Sequence, residues 1–174
     1  MTRNDLEHII RAAAAITNEY EIVVVGSQSI LGAAPEAEGL LLMSMEADIF
    51  TLKYSEKLSD LIDGTIGELS VFDTTYGYYA QGVAPETSTL PVEWEKRLIR
   101  IQNKNTDNKV GLCLDPHDMA AAKLVAGREK DWTFVGEMLR QSIIEPSVLA
   151  DRIDLLTVDD EMKTRLKRWV SNKQ

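Results

Sequence analysis

In NDLEHIIRAAAAITNEY, Leu6, Ile9, Ile10 and Ala13 recur at helical intervals after a capping residue, so the spacing predicts an amphipathic helix. EIVVV follows as a continuous β-branched run, the pattern of a short strand buried on both faces. Gly26 ends that run, and SQSILGA reads as the first turns of a helix with Ser27 at or near its cap. APEAEG is a loop, LLLMS fits either helix or strand, and MEADIFTL predicts a strand. SEKLSDLIDGTIG sets Leu58, Leu61, Ile62 and Ile66 on one face and stops at glycines, which predicts a second helix.

YYAQGV and KRLIRIQ read as strands separated by the turn-rich APETSTLP, and NKNTDNK turns the chain into a further strand, VGLCL. From Asp115 onward the pattern is helical only, with helices predicted over roughly 116–127, 129–143, 146–156 and 158–171. The expected fold is α/β (α+β): a mixed sheet flanked by helices over 1–114, with a helical part over 115–174 packed on it as one unit.

Composition narrows the function classes. Acids outnumber bases by 28 to 19, and the resulting charge of −9 repels nucleic acid at long range, so a polyanion must meet a local basic patch. Cys113 is the only cysteine, and with just His8 and His117 it makes neither a zinc site nor a Cys-His dyad. MTRNDLEHII lacks the apolar core of a signal peptide, and no run approaches membrane-spanning length. A cytoplasmic protein with no membrane partner is expected.

Two acids interrupt the apolar MEADIF. Residues i and i+2 of a strand face the same side, so Glu46 and Asp48 present their carboxylates together, with Met45, Ala47 and Ile49 expected on the core side. Two such charges repel, and desolvating each costs several kcal/mol. A hard divalent cation removes both objections, because carboxylate oxygens are its preferred ligands. A wet edge strand would also account for the pair.

The turn after EIVVV bears on that choice. A glycine there lets backbone amides approach an anion, the following helix offers unsatisfied N–H groups, and Ser27 adds a hydroxyl. The pattern lacks the G-x-G-x-x-G of a dinucleotide fold and the Lys-Ser/Thr of a P-loop. In LDPHDMAAAKLVAGREKDW, Asp115 fits a helix cap, Pro116 the first helical position, and Asp118 the first turn. Lys123 lies among small residues, and it shares a face with Lys130 if the helix runs through Gly127. Arg128 and Asp131 complete a charged cluster, for which a snorkelling lysine at a solvated helix junction is the competing reading.

Strand-Gly-Ser followed by acid-x-acid on a strand resembles the DNA polymerase β-type nucleotidyltransferase superfamily. SMEADI, GYYAQGV and LDPHDMAAAKLVAGREKD are more closely similar to a group of uncharacterised bacterial nucleotidyltransferase-like proteins, over most of residues 20 to 145. The later lysine with its Arg/Lys-Asp cluster is also similar to AbiEii-type abortive-infection toxins. The resemblance implies that Gly26 and Ser27 hold nucleotide phosphates and that Glu46 and Asp48 bind magnesium. It further implies that Lys123 contacts the triphosphate, with Arg128, Lys130 and Asp131 finishing the site. The implied chemistry is a two-metal in-line displacement. The sequence departs from the superfamily in having Glu46 as the first acid, in a longer Gly-Ser to acid interval, and in offering no clear third metal carboxylate. Glu68 and Asp73, in GELSVFD, are candidates for it by position alone.

On these grounds the expected activity is magnesium-dependent nucleotidyl transfer from a nucleoside triphosphate to RNA, a small molecule or a protein. The resemblance to AbiEii-type toxins further implies the toxin of a toxin–antitoxin pair, with an antitoxin partner. The alternatives are a degenerate member that acts by binding a partner or nucleotide, and a metal-dependent phosphohydrolase using the same carboxylates.

Overall fold

The computed structural model describes residues 1–173. Helix α1 (Arg3–Thr17) is capped by Thr2 rather than Asn4, in a reciprocal box in which Thr2 N donates to Asp5 Oδ2 and Asp5 N donates to Thr2 Oγ1. Strand β1 (Glu21–Val25) follows, then β2 (Glu46–Thr51), helices α2 (Glu56–Ile66) and α3 (Val71–Tyr76), and strands β3 (Tyr79–Gly82), β4 (Ile99–Ile101) and β5 (Val110–Cys113). The chain closes with α4 (Pro116–Ala126), α5 (Glu129–Arg140), α6 (Pro146–Asp154) and α7 (Asp160–Ser171). The fold is a mixed five-stranded sheet with helices, in the spatial order β3-β2-β1-β5-β4.

Strands β1 and β5 run parallel, β2 is antiparallel to β1, and β3 is parallel to β2. One end of the sheet therefore collects the ends of β1 and β5 and the beginnings of β2 and β3. That end is where chemistry-bearing residues gather.

Leu6, Ile9, Ile10, Ala13 and Ala14 of α1 are fully buried and join Ile22, Val24, Ala47 and Ile49 of the sheet in a cluster that continues to Phe134, Leu149 and Leu166. Each large aliphatic side chain removed from water in this way contributes about 1.5–3 kcal/mol. The opposite sheet face carries Val23, Val25, Phe50 and Val83, covered by Trp94 and Leu98. No helix among the described residues is long and apolar enough to cross a membrane.

Several local expectations change. SQSILG forms a short helix of the 3-10 kind (Ser27–Gly32) with Gly26 at its cap and Ser27 beside it, and the ambiguous LLLMS contributes to another 3-10 turn (Gly39–Leu42). Met45 precedes β2 and is half exposed, so only Ala47 and Ile49 face the core. Leu61 also points outward, leaving Ile62 and Ile66 as the fully buried side of α2. Gly127, at φ +72°, ends α4 in the left-handed region, so Lys123 and Lys130 lie on two different helices.

Candidate functional site

A cleft of about 710 Å³ opens at the sheet end where β1 finishes and β2 begins. Gly26, Ser27, Glu46, Asp48, Lys123, Arg128, Lys130 and Asp131 all line it. Side chains far apart in sequence thus share one cavity.

Sheet register explains the first four. Val25 pairs with Asp48 across the antiparallel β1–β2 ladder, so the turn that follows Val25 passes beside the acid-bearing strand. Gly26 sits at φ +64°, and a Cβ built on it would lie 1.9 Å from Asp48 Oδ2. Only a residue without a side chain permits both this backbone and this approach. Glu46 and Asp48 emerge on the same face as Val25 and Phe50, alternating with the core-facing Ala47 and Ile49.

Burial, reinforced by the neighbouring Glu46, pushes the Asp48 carboxyl up to about 6, while Lys123 and Arg128 pull the other way. Such a shift marks a carboxylate under-compensated by its surroundings.

Strand β3 adds two residues that sequence reasoning missed. In the parallel β2–β3 ladder Glu46 pairs with Tyr79 and Asp48 with Gln81. Tyr79 Oη donates to Glu46 Oε2 at 3.0 Å, and burial together with that bond raises the phenol to about 12. Gln81 lines the cleft beside the acids. The only prior signal for either was the two-residue alternation of YYAQGV, which does not reveal the neighbouring strand.

The basic half comes from α4 and α5. Asp115 caps α4 through His117 N and Asp118 N, and Pro116 takes the first helical position. Lys123, on the last turn, reaches back to donate from Nζ to Ser27 Oγ at 2.8 Å. Its ammonium also lies 3.4 Å from Asp131 Oδ1 and 4.6 Å from the centre of the Phe134 ring. Burial lowers the Lys123 pKa, opposed mainly by Asp131. Asp131, almost fully buried, is held by Arg128 Nε at 2.5 Å. Burial works to raise its carboxyl, but Arg128 and Lys123 outweigh that and hold it below the usual range. Lys123 therefore ties the Gly-Ser turn to α5 and is more than a snorkelling surface charge.

The two positional candidates for a third acid do not enter the cleft. Asp73 serves α3 instead, its Oδ2 accepting from Leu69 N at 2.9 Å, and Glu68 is exposed. Among the described residues no group of three His, Cys, Asp or Glu side chains is placed to hold a metal ion. Two carboxylates on one face nonetheless fit magnesium, which binds through one or two carboxylates plus waters and substrate phosphates.

Paired acids, a glycine turn and a half-buried lysine thus meet at one end of a mixed α+β sheet. Residues 4–173 match the family described as nucleotidyltransferase of unknown function (DUF6036), and the chain belongs to that family. No curated protein and no solved structure matches it.

Proposed function

We propose that the cleft transfers a nucleotidyl group from a nucleoside triphosphate to a hydroxyl of an acceptor, in a magnesium-dependent reaction. The observation that carries this reading is the close approach of Gly26 to Asp48, which sets the Gly-Ser turn directly against a pair of carboxylates. The backbone at Gly26 and Ser27 would receive phosphate oxygens, and Lys123, held at Ser27 Oγ, would neutralise them. Asp131, itself paired with Arg128, would orient Lys123. Glu46 and Asp48 would hold magnesium, which when bound screens the triphosphate charge. The acceptor oxygen would bond to the α-phosphorus and give up its proton to solvent, while the bond from that phosphorus to the oxygen bridging it to the β-phosphate breaks and pyrophosphate leaves with that oxygen.

RNA, a small molecule or a protein can each supply the hydroxyl. The likeness of the Lys123 to Asp131 segment to AbiEii-type toxins supports a toxin role opposed by an antitoxin. A second reading, a fold retained for binding without turnover, is favoured by Gln81, a neutral amide in register beside Asp48 where another carboxylate would complete a metal site. Incubation with labelled nucleoside triphosphates, magnesium and cellular RNA or protein separates the two. Label on an acceptor with pyrophosphate release supports transfer, and binding without turnover supports the second reading. Free phosphate would mark a hydrolase instead.

A further inference from the structure

Helix α3 buries none of its residues, yet it is firmly held. Ser70 caps its start through Asp73 N, and Gly77, at φ +75°, ends it in the left-handed region. Half-buried rings tie it to α1 and β3: the Phe72 ring centre lies 4.9 Å from those of His8 and Tyr76, and Tyr76 stacks on Tyr78 at 6.0 Å. Its outer side is therefore a fixed surface, separate from the cleft, which neither Leu69, Val71 nor Tyr76 lines.

That surface is apolar. Leu69 and Val71, at 85% and 83%, are the two most exposed large hydrophobic residues of the described chain, and Tyr76 is half exposed. A single such residue is ordinary, but two that flank one helix cap form a patch. The hydroxyls of Thr74 and Thr75 are spent on the backbone, donating to Ser70 O at 3.0 Å and Val71 O at 2.6 Å. Leu69 also stands at φ +61°, held there as its N donates to Asp73 Oδ2 at 2.9 Å. The other non-glycine residues at positive φ, Asn18, Glu93, Asp107, Asn108 and Ser142, are all polar. A bulky apolar side chain in that region costs conformational energy, and Leu69 recovers almost none of it by burial within this chain.

Charge decides what can cover the patch. Glu56, Asp60, Asp63, Glu68 and Asp73 fall on α2, α3 and the link between them, against Lys57 alone. Among the described residues none of these five acids forms a salt bridge. Nucleic acid, an anionic membrane and a second copy presenting the same face would each meet like charge there. A protein segment that carries cations beside aliphatic side chains meets its complement.

We propose that Leu69, Val71 and Tyr76 form a docking surface for a partner protein whose contact segment sets lysine or arginine among aliphatic residues. Apolar contact at Leu69 and Val71 supplies the affinity, and the unpaired acids around them select a basic partner. The surface does not depend on what the cleft transfers.

The probes are three fluorescein-labelled amphipathic peptides of equal length, followed by anisotropy: one of leucine and lysine, one with glutamate for lysine, and one with serine for leucine. Wild type should bind the first about tenfold or more tightly than the other two. A double variant, Leu69→Ser with Val71→Ser, should lose that preference. Leu69→Asn, which suits the left-handed backbone, should weaken binding about tenfold while melting no lower than wild type, and it carries the test if the double variant fails to fold. Equal affinities for the three peptides, or undiminished binding to the folded variants, would overturn the docking surface. So would a Leu69→Asn protein that melts several degrees lower, because Leu69 would then serve the fold. Self-association of wild type, or its binding to phosphatidylglycerol vesicles, would assign the face to a different occupant and overturn the proposal if the double variant abolished it.

Discussion

Asp48 occupies the space that a side chain at Gly26 would need: its Oδ2 lies 1.9 Å from where the Cβ would stand. The turn and the acid are therefore one unit. Gly26→Ala should destabilise the protein by about 1–3 kcal/mol, from the positive φ and from displacing Asp48. In an Asp48→Ala background the steric part should shrink to the remaining 3.2 Å approach of the residue-48 Cβ, leaving mainly the φ cost. Denaturant unfolding of the four proteins in this cycle measures the coupling; strict additivity would refute it.

Lys123 is held by Ser27, Asp131 and Phe134 before any ligand arrives. Lys123→Met keeps most of the stem and removes the charge, and Asp131 remains paired with Arg128. Triphosphate affinity should fall by about ten- to a hundredfold, the worth of a hydrogen bond to a charged group. Calorimetric titration checks this, and wild-type affinity in the methionine variant would remove Lys123 from the phosphate site.

Much of this cleft was legible in the sequence because strand alternation is a local property. The spacing of Glu46 and Asp48 put both on one face, and EIVVV ending at Gly26 announced a buried strand meeting a turn. Neighbouring strands are not a local property. Nothing in YYAQGV shows that Tyr79 lies beside Glu46 or Gln81 beside Asp48, and nothing in APETSTLP shows that it walls the cleft. Helix α3 escaped detection because it buries no residue and so has no apolar periodicity. Arg97 and Arg152 gave no hint that both converge on Asp118, whose position in the sequence fitted a helix's first turn.

Tyr79 acts on Glu46 through one hydrogen bond. Tyr79→Phe should weaken divalent-cation binding by about tenfold or more, because partners that orient a ligand contribute on that scale. Manganese binding followed by electron paramagnetic resonance reads this directly. The melting temperature of the metal-free variant should stay near wild type. Unchanged manganese affinity would assign the bond to packing alone.

Burial and Glu46 raise Asp48 from 3.8 to about 6, so the folded metal-free protein holds this proton more tightly than the unfolded chain does. The associated stability is fully present below 3.8 and is lost as pH rises through about 6. Asp48→Asn has no such proton to lose. Across that window the metal-free variant should gain about 1–3 kcal/mol relative to wild type. Unfolding in a chelator as a function of pH tests the sign, and a constant difference would show that Asp48 is not perturbed.

The central claim is that Glu46, Asp48 and Lys123 form one site for a nucleoside triphosphate with magnesium. Thermal unfolding of wild type, Glu46→Gln and Asp48→Asn, each with magnesium and nucleotide separately and together, tests it most directly. Wild type should melt several degrees higher with both ligands present than with either alone, because a ligand selective for the folded state stabilises it by mass action. Both variants should lose that joint response. Identical responses in all three proteins, or no response of wild type at millimolar ligand, would contradict the account.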